Sequence, residues 1–195
     1  MAEPQPHPDQ QHAREQSAAA GSAAGVEPDH EDAQRMRIAL EQARLAAAPP
    51  RHDIPIGAAV FAADGALLAA AGNRREADED PTAHAEILAL REAARVTGRW
   101  NLSGCTLVVT LEPCTMCAGA IVLSRVERVV VGAMDPKAGA AGSLYDLVRE
   151  PRLNHRAELT TGVLADECGQ LLKDFFRTLR RTRRAERSAA QPSPR

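Results

Sequence analysis

Apolar positions change their period several times along this chain, and each change marks an element. Met36, Leu40, Ala43 and Ala47 recur at helical spacing behind Asp29 or Asp32 as cap, and Pro49-Pro50 ends the run. Residues 54–62 then read as a strand, Asp64-Gly65 as a tight hairpin turn, and residues 66–71 as the returning strand. Both strands are nearly apolar throughout, which predicts a sheet covered on both faces. After a charged loop from Asn73 to Asp80, Pro81 opens a predicted helix to about Val96, with Ile87, Leu88, Leu90 and Ala94 inward. Residues 105–111 form a buried-type strand, Cys114 to about Ser124 a helix, and residues 128–133 a further strand. A small-residue loop carries Gly139 and Gly142. A short helix is expected over 144–148, a strand over 159–163, and a long helix from Ala165 to about Arg184 with Leu171, Leu172, Phe175 and Leu179 inward.

That order predicts an α/β fold, a three-layer αβα sandwich around a mixed central sheet. At 195 residues the chain suits one domain with a sizeable core. Aromatic residues are scarce, so Ala, Val, Leu and Ile must build that core. Residues 1–28, rich in Pro, Gln, Ala and Gly, read as disordered, as do 186–195, which leaves 29–185 as the domain. No apolar run approaches the roughly 20 residues that cross a bilayer. The N-terminus lacks a basic-then-apolar leader, so the expected location is cytoplasmic, with no membrane partner. Net charge is close to zero, yet the C-terminal end concentrates Arg180, Arg181, Arg183 and Arg184, either a solvated helix end or a phosphate-binding stripe.

Four cysteines in such a chain read better as metal ligands or buried thiols than as a disulfide framework. Cys114 and Cys117 lie at the head of a predicted helix, and so does His84 with Glu86 two residues on. The thiol pair alone has several readings: a redox pair, half of a structural zinc site, or two buried cysteines. A redox pair leaves His84 and Glu86 unexplained. A structural site wants a fourth ligand; at about 3.3 Å per strand residue Cys105 lies over 20 Å from Cys114, and Cys168 shares a helix face with Leu171 and Phe175. A catalytic zinc takes three protein ligands and keeps one position open, the number that His84, Cys114 and Cys117 supply. Glu86 is then placed to act as general base and acid. Residues two apart on a helix point nearly opposite ways, so His84 and Glu86 can share a site only at the helix end.

His84-Ala85-Glu86 with Pro113-Cys114-Thr115-Met116-Cys117 is the signature of the zinc-dependent nucleoside and base deaminases. The surrounding segments go further. Pro81 to Glu86, Thr110 to Ala120, Asp135-Pro136-Lys137 with Gly139 to Leu144, Asn154-His155, Ala165 to Cys168 and Asp174-Phe175-Phe176 resemble the bacterial tRNA-specific adenosine deaminase family, over about residues 30–185. The resemblance implies a cytidine deaminase-like fold, a homodimer, one Zn2+ per subunit, and hydrolytic conversion of adenosine to inosine at the wobble position of a tRNA anticodon stem-loop by zinc-activated water. It also implies that His84, Cys114 and Cys117 hold zinc, that Glu86 shuttles protons, that Asn73 helps bind the target nucleoside, that Asp135 lies near the ribose, and that Lys137 shares that loop. The basic tail then has RNA as its partner. On sequence alone Asn73 and Asp135 read as turn residues. Two features depart from the family pattern. Residues 1–28 have no counterpart in its short members, and Glu76, Asp78, Glu79 and Asp80 make an acidic loop that repels phosphate, offset in part by Arg74 and Arg75.

Overall fold

Alternation along three central strands decides where the helices lie in the computed structural model, which describes residues 29–189. Strands β1 (Gly57–Phe61), β3 (Thr106–Leu111) and β4 (Arg128–Ala133) are almost wholly buried. Successive side chains in a strand point to opposite faces. Ala58, Val60, Leu107, Val109, Val129 and Val131 therefore meet Ala85, Ala89 and Ala93 of helix α2 (Ala85–Thr97) and Ala118 and Ile121 of α3 (Thr115–Ser124). Ala59, Phe61, Val108 and Val130 turn the other way, to Met36, Ala39 and Leu40 of α1 (His30–Ala47) and Cys168 of α4 (Ala165–Ala189). Two thinner strands, β2 (Leu67–Gly72) and β5 (Glu158–Thr161), close the edges, giving the order β2-β1-β3-β4-β5. Strand β1 runs antiparallel to β2 and β3, whereas β3, β4 and β5 are parallel. This is the predicted three-layer αβα sandwich with a mixed sheet.

Strand direction sets where the connecting segments collect. Because β1 is antiparallel to both neighbours, β2, β3 and β4 share one direction and end at one edge of the sheet. Strand β1 starts at that same edge.

Several boundaries differ from the sequence reading. Helix α2 begins at Ala85 rather than Pro81, because the Asp80 carboxylate accepts from the Thr82 N–H (2.8 Å) and hydroxyl (2.7 Å), holding that segment in a turn. Its buried face is Ala85, Glu86, Ala89, Leu90 and Ala93; Ile87, Leu88 and Ala94 are only half-buried on the flank. Small residues there let α2 sit close on the sheet. No helix forms over 144–148. The Leu144 N–H donates to Gly139 O (3.1 Å) and the Leu147 N–H to Ala140 O (2.9 Å), so the loop folds back on itself. Helix α4 continues through Ala189, so residues 186–189 are helical; its expected inward residues Leu171, Leu172, Phe175 and Leu179 are half-buried, and Cys168 is fully buried. The readings for 1–28 and 190–195 lie outside the described residues. Asp29 caps α1, which leaves the buried Asp32 to form a paired contact with Arg128 of β4.

Glycine lets α1 approach β1 closely. A Cβ on Gly57 would lie 2.0 Å from Ala39 O and 2.6 Å from Ala43 N, both backbone atoms that cannot turn aside. Gly57→Ala is expected to destabilise the fold by about 2–3 kcal/mol or more. Gly169→Ala, in open space on α4, is expected to gain about 0.5–1 kcal/mol. Urea unfolding midpoints check both; equal midpoints would contradict the packing described.

Candidate metal centre

Two strand-to-helix junctions at the shared edge supply the ligands. The chain leaves β2 at Gly72, and the Arg74 N–H donates to Ala83 O (3.0 Å), which fixes the approach to α2. His84 is the N-cap of α2, extended at φ −72° and ψ 150°. The chain leaves β3 at Leu111, and Cys114 is the N-cap of α3, at φ −70° and ψ 174°. Neither side chain makes a capping hydrogen bond, so both stand ready to ligate. Cys117 lies in the first turn of α3, where unpaired backbone N–H groups favour a thiolate.

The cap position resolves how His84 and Glu86 share one site. His84 stands off the helix while Glu86 lies in its first turn and is buried. His84 Nδ1 is 3.7 Å from Cys114 Sγ and 3.5 Å from Cys117 Sγ, and the three donor atoms all lie within 4.8 Å of one another. A tetrahedral zinc, with bonds of about 2.0–2.1 Å to nitrogen and 2.3 Å to sulfur, sets such donors about 3.6 Å apart. The triad therefore fits zinc as it stands. Cys105 and Cys168 take no part: each is buried in a different apolar core.

Charge within the cluster is divided. Hydrogen bonds from Cys117 and His84 hold the Cys114 thiol down to about 3. The same Cys114 contact, with burial, pushes Cys117 up. His84 is raised by its bond to Cys114, against burial. A dication held by these residues would replace the shared protons and take both sulfurs as thiolates. Burial pushes the Glu86 carboxyl up from its ordinary range.

Two further carboxylates shape the walls. Asp53, fully buried just before β1, accepts from the Ile54 N–H (2.9 Å) and from Asn73 Nδ2 (2.6 Å) through one oxygen, and from the Glu76 (2.8 Å) and Ala77 (3.2 Å) N–H groups through the other. Glu112, at the end of β3, accepts from the N–H groups of Asp135 (2.8 Å), Ala141 (2.9 Å) and Ser143 (2.9 Å) and from the Ser143 hydroxyl. Burial raises the Glu112 pKa, but these four bonds outweigh it and leave it below the usual carboxylate range. The sequence reading gave neither residue a role. For Glu112 the available signal was an acidic residue at the end of an apolar strand, next to Pro113-Cys114; Asp53 carries no such local signal.

The remaining predicted residues divide. Asn73 is buried and held by Asp53. Asp135 follows β4, and its carboxylate accepts from the Lys137 N–H (2.9 Å), a turn-forming role. Their loop reaches the metal ligands through the Cys114–Gly139 bridge and the Ala140 N–H to Pro113 O bond (2.8 Å). Lys137 is exposed and lines a hollow with Lys173, Phe176, Arg177 and Arg180 of α4. Arg180, Arg183, Arg184 and Arg187 line the next hollow along that helix; Arg181 does not. In the acidic loop Arg74 is paired with Asp78 (2.6 Å) and Arg75 with Glu76 (2.7 Å).

Residues 29–133 match the family model of the cytidine and deoxycytidylate deaminase zinc-binding region. The tRNA-specific adenosine deaminase of Bacillus subtilis is 50% identical over 152 residues, covering 78% of this chain and 92% of that protein. That of Haemophilus influenzae is 45% identical over 157 residues, covering 80% and 90%. A structure solved in work on A-to-I editing by tRNA deaminases at the wobble position superposes with a TM-score of 0.67 at 41% identity, covering 71% of this chain and 99% of its own. The guanine deaminase of Nitrosomonas europaea does so at 0.63 and 31%, covering 73% and 83%. With the ligand triad in place and these likenesses spanning most of the chain, the protein belongs to the zinc-binding cytidine and deoxycytidylate deaminase family, within its tRNA-specific adenosine deaminase branch.

Proposed function

We propose that this chain, through the domain at 29–185, converts adenosine to inosine by hydrolysis at the wobble position of a tRNA anticodon, in the cytoplasm. The observation that carries the chemistry is the convergence of His84, Cys114 and Cys117 with a buried Glu86 at two helix heads. The likeness to tRNA-specific adenosine deaminases, which covers 78% of the chain, supports the substrate.

His84, Cys114 and Cys117 would hold the zinc, which would lower the pKa of a water in its open position to about 7. Glu86 holds and moves the proton. It takes one from the attacking water and passes it to a ring nitrogen of the purine, then takes the second proton from the added hydroxyl and delivers it to the departing amine as the C–N bond breaks. Water and the amino compound become the ring carbonyl and ammonia. Asn73 binds the nucleoside, Asp135 lies by its sugar, and Lys137 stands in the same loop. The base must leave its stack to enter, which costs least in a loop whose bases are already splayed.

The stem of the RNA is assigned to the stripe from Lys137 along α4. Arg180, Arg183, Arg184 and Arg187 recur at helical spacing and share one side of the helix, and the half-exposed Phe176 offers a stacking surface beside them. A homodimer is supported by an apolar hollow on the outer faces of α2 and α3, lined by Ile87, Leu90, Ala94 and Leu123 with the exposed Trp100.

An adenosine-wobble tRNA transcript is expected to gain inosine with the native protein; ammonia released from free guanine or cytosine instead, with the tRNA unchanged, would replace this reading with deamination of a free base. Glu86→Gln lowers the rate by about 10²–10⁴-fold while zinc content stays at one per subunit; unchanged deamination removes Glu86 from the mechanism. Arg183→Ala weakens tRNA binding and flattens its salt dependence by about 0.7–0.9 in the log–log slope, whereas Arg181→Ala does not; equal slopes return the stripe to a solvated helix end. Sedimentation of Leu123→Asp is expected to show a monomer where the native protein is a dimer, and a monomeric native protein removes the dimer.

A further inference from the structure

Asn73 is 3% exposed, yet its side chain is not a filler of the core. Its backbone N–H donates to Ile56 O (2.9 Å), and the next residue is tied to Ala83, the neighbour of the ligand His84. One amide N–H donates to Asp53 Oδ1 at 2.6 Å. Asp53 receives four N–H donors and no hydroxyl, two on each oxygen, so it acts only as an acceptor. An amide beside such a carboxylate must turn its nitrogen inward; the reversed orientation would set oxygen against oxygen. The Asn73 carbonyl oxygen is left with no partner among the described residues. Every closed-off side-chain nitrogen and oxygen among those residues does have one, so this oxygen is open to solvent.

We infer that Asp53 is a positioning residue of the deamination site: it fixes the amide plane of Asn73 so that the carbonyl oxygen meets a hydrogen-bond donor on the target nucleoside, either the purine amino group or a sugar hydroxyl. This rests on Asn73 as a nucleoside-binding residue. The same carboxylate carries the Glu76 and Ala77 N–H groups, so one buried acid sets both the recognition amide and the start of the loop behind it. A held amide keeps its orientation before substrate arrives, and misplacement of such a group by about 1 Å costs on the order of a hundredfold in rate.

A double-mutant cycle tests this on the zinc-loaded protein with the tRNA transcript. Asp53→Asn is expected to lower kcat/KM by roughly tenfold to a hundredfold with zinc content unchanged. In an Asn73→Ala background the same change is expected to cost less than about twofold, because the group it positions is gone. An equal loss in both backgrounds overturns the inference and leaves Asn73 as a binding residue. Full activity of Asn73→Ala overturns the binding role itself, and the positioning role with it. If Asp53→Asn folds poorly, selective ¹⁵N labelling of asparagine decides on the native protein. The Asn73 side-chain amide is expected to be shifted downfield and protected from solvent exchange; an amide that exchanges like an exposed one overturns the inference. Replacing the target adenosine by its 2′-deoxy form separates the two donors. A penalty seen with Asn73 and lost in Asn73→Ala identifies the sugar hydroxyl, and its absence identifies the amino group.

Discussion

A carboxylate taken out of water is costly unless its lone pairs are filled, and the loop after β4 is shaped by filling those of Glu112. Three backbone N–H groups and one hydroxyl converge on that side chain from residues that the chain alone would leave in open loop. The fit is close enough that a Cβ on Gly139 would sit 2.1 Å from a Glu112 oxygen. Since Gly139 is bridged to Cys114, the same contact fixes the loop against a metal ligand. Asp53 does the matching work on the other wall, joining the start of β1 to Asn73 and the loop beyond β2. The triad thus lies between two segments, each held by one buried acid.

What places these parts together is strand direction. Ligand and wall residues follow β2, β3 and β4 or precede β1, and all four ends lie at one edge of the sheet. Open α/β sheets place ligands outside the carboxyl ends of their strands. The antiparallel β1 adds a segment that arrives at that edge rather than leaving it. Both helix heads at the edge carry a ligand where a capping side chain would normally stand.

Much of this is legible in the residues alone. The continuous apolar runs place the layers, because buried strands of Val and Ala have few other uses; the span 128–133 matches β4 as read. The three ligands and Glu86 follow from residue type and spacing. The start of α2 does not, because Pro81 is a good helix opener and only the Asp80 side chain holds the segment in a turn. The absence of a helix at 144–148 depends on carbonyls of Gly139 and Ala140 across a folded-back loop. Asp53 is one of 26 acidic residues, and what singles it out is partners 20 to 24 positions away. Such contacts leave no periodic mark in a sequence.

The one-edge arrangement has a consequence for how such a protein can diverge. The sandwich and the triad occupy the layered part of the molecule, where a single methyl group at Gly57 meets backbone. The walls are loops that answer to one acid each. Changing a wall therefore need not disturb the frame, and a guanine deaminase at 31% identity shares that frame with a TM-score of 0.63. The fold separates the layered frame that carries the triad from the loops that wall it, and the two can evolve at different rates.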